Sequence, residues 1–223
     1  MKAPSIVPLV VPGDPDVSAA LHVPHDPSGV ALALAPGAGT TMENPFLVTV
    51  ADGLAARGHA VMRFNFAYHE AGSRRPDPKK KLIATYRAAA DLLRARGGDR
   101  LVIGGKSMGG RMATMLAAEG YACDGLVLLG YPLHPAGKPD QLRDEHLPRV
   151  TPPMLFVQGT RDALCDLALL RPVLDRVGPR ATLMEIQGAD HSFEVRKRDG
   201  RTPESVLQEI ISGVAGFLSE RSR

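Results

Sequence analysis

A serine and a lysine stand among glycines in the stretch GGKSMGGR, which runs from Gly104 to Arg111. The apolar run LVI precedes this stretch and the helix-like run MATMLAAEG follows it. Such a corner between a strand and a helix serves two chemistries, a P-loop that cradles phosphate or a nucleophile elbow that exposes a reactive hydroxyl. The P-loop pattern G-x-x-x-x-G-K-[ST] needs a glycine where this chain has Arg100, so its spacing does not fit.

The elbow pattern G-x-S-x-G is met by residues 105–109, with Ser107 at the centre. An elbow holds its serine in a strained turn, and the flanking glycines let the strand and the helix approach closely. The hydroxyl then stands at a helix N-terminus, where partial positive charge favours a developing anion. The pattern therefore predicts Ser107 as a nucleophile and the backbone N–H of Met108 as one donor of an oxyanion hole.

A serine nucleophile needs a histidine base and a carboxylate, and on such an elbow fold these follow in the order Ser, Asp or Glu, His. Asp162 follows the apolar run PMLFVQG, and His191 follows the run ATLMEIQG. Both residues therefore fall in loops directly after predicted strands. Ser107, Asp162 and His191 are predicted to form a triad. The N–H of Ala38, just after the early run VALALAP, is predicted as the second oxyanion donor.

Each triad residue has a structural alternative. Ser107 could be a helix N-cap, Asp162 could cap the helix that follows it, and His191 could be a solvent-facing loop residue. Asp166 is a rival acid, but it is predicted to lie one turn inside a helix. Asp190 is expected to fix its loop, because adjacent side chains seldom face each other. The occurrence of three suitable residue types in three loops after strands favours the triad.

The remaining polar residues give no sign of a metal site or a second nucleophile. The other histidines show no ligand spacing and are predicted to be surface or turn residues: His22, His25, His59, His69, His134 and His146. No HExxH motif or Cys/His cluster is present, so neither a metal nor any other cofactor is expected. Cys123 and Cys165 lack CxxC spacing and are predicted to be small buried residues in a reducing compartment.

A basic segment, NFAYHEAGSRRPDPKKK, follows one of the predicted strands and borders the expected mouth of the site. Arg74 and Arg75 could attract an anionic substrate, and residues 79–81 could be a solvated helix start. A solvated basic loop is the alternative, and the sequence slightly favours it. Arg74 and Arg75 are therefore candidate substrate-binding residues with this alternative left open.

Apolar runs of strand length recur along the chain and are continuous, as in strands that are covered on both faces of a parallel sheet. They are VALALAP (30–36), HAVMRFNF (59–66), RLVIGG (100–105), GLVLLG (125–130), PMLFVQG (153–159) and ATLMEIQG (181–188). Helical patterns fill the gaps, with boundaries at Asn44-Pro45 and Gly58, at Lys80 and Gly97-Gly98, and at Thr202-Pro203. Pro172 is expected to start or kink a further helix. This alternation predicts a single α/β domain over residues 1–223, with a mostly parallel sheet and helices on both faces.

The composition limits the class of partner. The chain has 223 residues and a formal net charge of +3, and its pI is near 9.0. This mild charge gives no argument for nucleic acid, which usually requires a clustered basic face. The early run SIVPLVVP is broken by prolines, and no run approaches membrane-spanning length. We therefore expect no membrane association and a cytoplasmic location.

Three segments, RFNFAYHEAGSRRPDP, GGKSMGGRMA and VQGTRDALC, resemble the α/β-hydrolase superfamily, in particular its small dienelactone-hydrolase-like members. They are similar to a narrower group of bacterial predicted hydrolases, animal testis-expressed hydrolase-like proteins and a hydrolase-like subunit of a chromatin-acetylating complex. The resemblance spans roughly residues 30–218 and implies an α/β-hydrolase fold with Ser107 as nucleophile, Asp162 as acid and His191 as base. One departure is Pro36-Gly37, where many members carry His-Gly.

Together these features predict a serine hydrolase that cleaves an ester-like bond of a small molecule through an acyl-enzyme. Residues 131–150, YPLHPAGKPDQLRDEHLPRV, lie where larger hydrolases insert a helical cap, and this short Pro-rich segment predicts a minimal cap over an open site. Two alternatives stay open: a non-catalytic hydrolase-like binding module, and a protein that binds phosphate or nucleotide at the glycine-rich corner. A monomer or small homo-oligomer is expected.

Overall fold

The computed structural model of the chain describes residues 3–96 and 99–220. Its strands are β1 Ser5–Leu9, β2 Val17–His22, β3 Val30–Ala35, β4 Ala60–Phe64, β5 Arg100–Lys106, β6 Gly125–Leu129, β7 Met154–Gly159 and β8 Ala181–Ile186. They form one sheet in the order β1-β2-β4-β3-β5-β6-β7-β8. The pairs from β4 to β8 along this order are parallel, and the pairs that involve β1 and β2 are antiparallel. The predicted mostly parallel sheet is therefore confirmed.

Helices cover both faces of this sheet. In the described part of the chain the α-helices are α1 Pro45–Ala55, α2 Ala67–Glu70, α3 Lys79–Ala95, α4 Met108–Ala118, α5 Leu167–Val177 and α6 Pro203–Ser219. Apolar side chains of α3, α4 and α5 belong to one core cluster, and those of α1 and α6 belong to the other. Every residue of β3, β6 and β7 is buried, which explains why the apolar runs in the sequence are continuous.

Two of the predicted helix starts match the structure. The Asn44 side chain accepts a hydrogen bond from a first-turn N–H of α1 at 3.0 Å. Thr202 caps α6 in the same way at 3.1 Å. Helix α1 ends at Ala55, and the chain turns back through Gly58, which has a φ of +90°. The predicted end of α3 at Gly97-Gly98 lies outside the described residues.

Helix α5 differs from the prediction in two details. It begins at Leu167, and Pro172 lies inside it, so of the two roles expected for Pro172 only the helix start is wrong. Asp166 is its N-cap, because the carboxylate accepts a hydrogen bond from the N–H of Ala168 at 2.8 Å. The prediction that Asp166 lies inside a helix is therefore wrong. Proline is the more visible start signal in a sequence, whereas a capping carboxylate only needs to reach an N–H two residues further on.

Strands β1 and β2 form an antiparallel pair at one edge of the sheet, and the sequence pattern did not predict them. Strand β1 is mostly exposed and contains Pro8, and both features weaken the signal of a buried strand. Strand β2 pairs with β4 and carries β1 on its outer side. The pair extends the sheet on the side away from the strands that carry the predicted triad.

The connection from β6 to β7 contains one short 3-10 helix, Leu147–Arg149, and no α-helix, although all its residues are described. The predicted minimal cap is therefore confirmed. None of the helices within residues 3–96 and 99–220 is long and apolar enough to span a membrane.

Candidate active site

Ser107 stands at the corner between β5, which ends at Lys106, and α4, which begins at Met108. Its φ of 51° and ψ of −115° lie in a region that residues with a side chain rarely adopt, which costs about 1–3 kcal/mol. Two backbone hydrogen bonds hold this conformation. The Ser107 N–H donates to Leu129 in β6 at 3.0 Å, and the Ser107 carbonyl accepts from Arg111 at 3.1 Å.

The glycines around Ser107 are required by close packing against β3. A Cβ at Gly105 would lie 2.4 Å from the carbonyl oxygen of Ala35, and a Cβ at Gly109 would lie equally close to the same oxygen. Both distances are shorter than any real contact, so a side chain at either position would push β3 away from the corner. The glycines of the motif therefore bring the serine turn and the end of β3 together.

His191 lies between Ser107 and Asp162 in hydrogen-bonding geometry. Its Nε2 is 2.9 Å from Ser107 Oγ, and its Nδ1 is 2.7 Å from Asp162 Oδ2. Because the carboxylate can only accept, the network assigns the ring proton to Nδ1 and leaves Nε2 as the acceptor of the serine hydroxyl. The three side chains come from the loops after β5, β7 and β8, so they meet at the carboxyl edge of the sheet.

The carboxylate of Asp162 is buried and accepts three hydrogen bonds. Besides His191, its donors are Gln158 Nε2 at 2.6 Å and the N–H of Leu164 at 2.7 Å. The Gln158 side chain in β7 is itself fixed, because its Oε1 accepts from the N–H of Tyr131 at 2.9 Å. Sequence reasoning missed Gln158; the signal that could have found it is a single amide side chain in an otherwise apolar strand.

Lys106 anchors the loop that carries His191. Its ammonium donates to the backbone carbonyl of His191 at 2.5 Å and lies over the ring of Phe193 at 5.2 Å. Burial lowers the pKa of Lys106 to about 8, against the opposing charges of Asp162 and Asp190. The sequence offered Lys106 only as the variable residue before the serine, and this anchoring role was not predicted.

Asp190 fixes the same loop from within, as the sequence suggested. Its Oδ1 accepts hydrogen bonds from the N–H groups of Ser192 at 2.9 Å and Glu194 at 3.0 Å. The imidazole of His191 thus has Asp162 as its carboxylate partner, whereas its neighbour Asp190 serves the backbone.

The loop after β3 lies directly against the serine. A Cβ built at Gly37 would be 3.6 Å from Ser107 Cβ, in ordinary van der Waals contact. The N–H of Gly39 donates to the Tyr68 hydroxyl at 3.1 Å, and the N–H of Met42 donates to Asn65 Oδ1 at 2.8 Å. These bonds hold the segment that follows Ala38, whose own N–H has no acceptor in the described part of the chain. Its role as an oxyanion donor stays a prediction, as does that of Met108.

The structural alternatives for the triad residues do not describe this geometry. Ser107 makes no side-chain capping hydrogen bond to α4, and Asp166, not Asp162, caps α5. His191 is part of a hydrogen-bonded cluster, and 26% of its side-chain surface is exposed. The ring is therefore both held in position and reachable from solvent.

The prediction that the remaining histidines are surface or turn residues is wrong for His22, which lies in β2, and for His59, which lies just before β4. His146 lies in a turn and His134 in a bend of the connection from β6 to β7, although both are buried. His25 and His69 are accessible, whereas His22, His59, His134 and His146 are buried. Each buried ring has a hydrogen-bond partner: Arg63 and Asp52 for His22, Ser28 for His59, the N–H of Asp166 for His134, and Thr114 for His146. An imidazole with a partner can be buried at low cost, and such partners are not visible in the sequence.

Arg74 and Arg75 are both exposed, and neither side chain forms an ion pair with another of the residues that the structure describes. The backbone carbonyl of Arg74 would lie 3.8 Å from a Cβ at Gly39, so this segment borders the loop after β3. Lys81 in the same basic segment pairs with Asp14 at 2.9 Å and with Asp77 at 3.6 Å. A role of Arg74 and Arg75 toward an anionic substrate stays a prediction.

Neither cysteine is a reactive thiol in this structure. Cys165 is buried and Cys123 partly buried, and burial raises the pKa of Cys123 to about 12 and that of Cys165 further. Both thiols are therefore poor nucleophiles at neutral pH. Among residues 3–96 and 99–220, no group of three or more His, Cys, Asp or Glu side chains is arranged to hold a metal ion.

The alpha/beta hydrolase domain family matches residues 28–219 of this chain. The match includes all the strands from β3 to β8 and the three side chains of the cluster. The chain therefore belongs to the alpha/beta hydrolase family. The predicted fold class and the resemblance to dienelactone-hydrolase-like members are confirmed.

Solved structures of this fold cover almost the whole chain. The dienelactone hydrolase from Anabaena variabilis ATCC 29413 is 24% identical with a TM-score of 0.71, over 98% of this chain and 97% of that chain. XC6422 from Xanthomonas campestris, described as an α/β serine hydrolase without lid, is 22% identical with a TM-score of 0.75, over 98% and 96%. Est1E from Butyrivibrio proteoclasticus is 17% identical with a TM-score of 0.73, over 97% and 98%. At these identities the likeness concerns the fold.

Proposed function

We propose that this protein is a serine hydrolase that cleaves an ester-like bond, of the carboxylester, thioester or lactone type, through an acyl-enzyme. The observation that carries the proposal is the chain of contacts from Asp162 through His191 to Ser107, at 2.7 and 2.9 Å. Membership of the alpha/beta hydrolase family supports hydrolysis in general. The ester-like class is inferred from the oxygen nucleophile and its base.

In the first step His191 Nε2 takes the proton of the Ser107 hydroxyl as the oxygen attacks the substrate carbonyl carbon. The C=O electron pair moves onto the carbonyl oxygen, so a tetrahedral oxyanion and an imidazolium form together. Asp162 stabilises the imidazolium through Nδ1–H and keeps the ring in one orientation, and Gln158 and Leu164 hold the carboxylate in turn.

The oxyanion of this intermediate needs donors that are in place before the reaction. We assign the N–H groups of Ala38 and Met108 to this role, because one belongs to the loop that touches Ser107 and the other begins α4. The N-terminus of α4 adds partial positive charge at the same point. Backbone donors do not depend on the side chain before them, so Pro36 in place of a histidine is compatible with the assignment.

In the second step the intermediate collapses, and the imidazolium returns its proton to the leaving oxygen or sulfur. Water then enters, gives a proton to His191 Nε2 and attacks the acyl carbon. Collapse of the second intermediate returns this proton to Ser107 Oγ and releases the acid product. No cofactor takes part in this scheme.

The substrate is proposed to be a small molecule, because the connection from β6 to β7 has no α-helix that could close over a long acyl chain. Arg74 and Arg75 beside the loop after β3 would favour an anionic substrate. We further propose that the protein is cytoplasmic, acts without nucleic acid or membrane, and is a monomer or small homo-oligomer.

A panel of short-chain aryl esters, thioesters and lactones tests this function. We expect turnover of at least one class and a loss of about 10³-fold or more in kcat for Ser107→Ala. Ser192→Ala is the matched control, because Ser192 is an exposed serine in the loop of His191 and is expected to leave kcat unchanged. Equal turnover by folded Ser107→Ala and wild type would exclude Ser107 as the nucleophile, and no turnover of any class would favour a non-catalytic binding module.

A further inference from the structure

A cavity of about 280 Å³ lies beside α4, under the connection from β6 to β7. Helix α4 contributes Arg111, the connection contributes Arg143, His146 and Arg149, and the first turn of α3 contributes Lys79. No residue of the proposed triad is among those that line this space in the described part of the chain. The cavity is therefore separate from the serine, although Ser107 directly precedes α4 and Arg111 in the first turn of α4 lines the cavity.

The cationic groups around this cavity form no ion pair with the residues that the structure describes. Within residues 3–96 and 99–220, no carboxylate oxygen lies within 4.0 Å of the side-chain nitrogens of Lys79, Arg111, Arg143 or Arg149. The two acidic residues that line it, Glu119 and Glu145, are exposed and pair with none of them. Four cations against two carboxylates leave an excess of positive charge on the walls.

Arg111 shows most directly that a partner is missing. Its Nε is buried and has no hydrogen-bond partner in the described part of the chain. A buried donor without an acceptor is unfavourable, and a guanidinium is suited to bind the paired oxygens of a phosphate or a carboxylate. An oxyanion bound to the Arg111 guanidinium would pair with a side chain whose Nε has no acceptor among the described residues.

The electrostatic effect of this cluster is visible in its neighbours. Burial, followed by the charges of Arg111 and Arg149, lowers the pKa of His146 to about 4. Burial and then the charge of Arg111 lower the pKa of Arg143 as well. His146 is therefore neutral at physiological pH and adds no charge, but it reports the positive field in which it lies.

We propose that this cavity is a binding site for a small molecule that carries a phosphoryl or carboxylate group, with Arg111, Arg143 and Arg149 as ligands of the anion and Lys79 at the rim. Its volume accommodates a compact ligand rather than a polymer. The site was not apparent from the sequence, because its cations come from three distant segments and not from the Arg74-Arg75 pair. Binding here does not depend on the proposed hydrolytic reaction.

Calorimetric titration of the full-length protein with inorganic phosphate and with malonate, at constant ionic strength, tests the site. We expect one saturable site for at least one of these anions, and the better anion identifies the phosphoryl or the carboxylate class. Lys79→Gln and Arg149→Gln change exposed side chains, so both variants should fold. Each is expected to weaken binding by about tenfold through the loss of one charge-assisted contact.

Lys80→Gln and Arg198→Gln are the matched controls, because both residues are exposed cations that do not line the cavity. They and Ser107→Ala should leave the affinity unchanged. As a second measurement, NMR titration of His146 should show its pKa rising from about 4 when the anion is bound. The proposal is overturned if neither anion binds saturably, or if the cavity variants and the controls lose affinity equally.

Discussion

Two histidine–aspartate pairs in this protein have similar geometry and different surroundings. His191 Nδ1 lies 2.7 Å from Asp162, and His22 Nδ1 lies 3.0 Å from Asp52. In the first pair Nε2 faces the Ser107 hydroxyl at 2.9 Å, whereas in the second pair Nε2 accepts a hydrogen bond from Arg63 Nε at 3.0 Å. Nε2 of His191 is therefore available to take the proton of a hydroxyl, whereas Nε2 of His22 is already occupied by the Arg63 N–H.

The two pairs also differ in which partner is exposed to solvent: the histidine in the first pair and the aspartate in the second. The His191 side chain is 26% exposed and its aspartate fully buried, whereas the His22 side chain is 3% exposed and its aspartate 44% exposed. Burial and then the charge of Arg63 lower the pKa of His22, so this ring stays neutral as a structural acceptor. A histidine–carboxylate pair thus indicates a base only where the far nitrogen meets a nucleophile that substrate can reach.

Replacing the carboxylate of the His191 pair should have the largest effect. For Asp162→Asn we expect kcat for the best ester of the panel to fall by about 10³- to 10⁴-fold with little change in KM. An amide can donate to Nδ1 and so favours the tautomer that cannot accept the serine proton. Steady-state kinetics measure this loss, and a decrease of less than tenfold in a folded variant would speak against the assigned role.

Breaking the His22 pair should reduce stability and leave chemistry intact. In His22→Leu the buried Arg63 loses the acceptor of its Nε–H, and we expect the free energy of unfolding to fall by about 2–3 kcal/mol. Urea denaturation measures the change. His25→Leu is the control, because this side chain is 97% exposed and its loss should change stability by about 0.5 kcal/mol or less. Loss of kcat in folded His22→Leu would erase the distinction between the pairs.

The two histidines also differ in what holds their backbone. His191 lies in a loop that Lys106 anchors, whereas His22 lies in β2, which is paired with β4. The Lys106 pKa of about 8 in the folded state lies below its ordinary value of 10.5, so burial of the ammonium destabilises the protein fully below pH 8. This penalty is relieved as pH rises from the folded to the unfolded pKa. The stability of wild type relative to Lys106→Met should therefore increase by about 2 kcal/mol from about pH 7 to about pH 10. Urea denaturation across this range measures it, and a constant difference would contradict the buried ammonium.

The smallest effect is expected for Asp52→Asn, the counterpart of Asp162→Asn in the second pair. Asp52 is 44% exposed, and its neutral partner His22 gains little from a full negative charge. We expect the free energy of unfolding to change by about 1 kcal/mol or less and kcat to stay within about twofold of wild type. A loss of kcat comparable to that of Asp162→Asn would show that the two carboxylates are not functionally distinct.

The sequence predicted the parallel part of the fold well, because strands covered on both faces appear as continuous apolar runs. The helices appear as the helical patterns between these runs. The same runs indicated where each loop begins. Ser107, Asp162 and His191 could be selected because each follows such a run, and Gly105 and Gly109 marked the serine corner. Their catalytic roles remain predictions that the experiments above address.

The features that the sequence did not predict depend on contacts between distant segments. Gln158 meets Asp162 only after β7 and its loop are folded, and Lys106 meets the His191 carbonyl across 85 positions of the chain. The burial of His22 requires Arg63 from another strand. The periodicity of apolar residues indicates which face of a helix or strand is buried. It does not identify the hydrogen-bond partner that a buried polar side chain requires.

Covalent labelling can show whether Ser107 is an activated nucleophile. A fluorophosphonate probe reacts with serines whose hydroxyl is deprotonated by a positioned base. We predict labelling of wild type, located at Ser107 by peptide mass spectrometry, with none in Ser107→Ala. Folded wild-type protein that takes up no label, or that carries the label at another residue, would contradict the account.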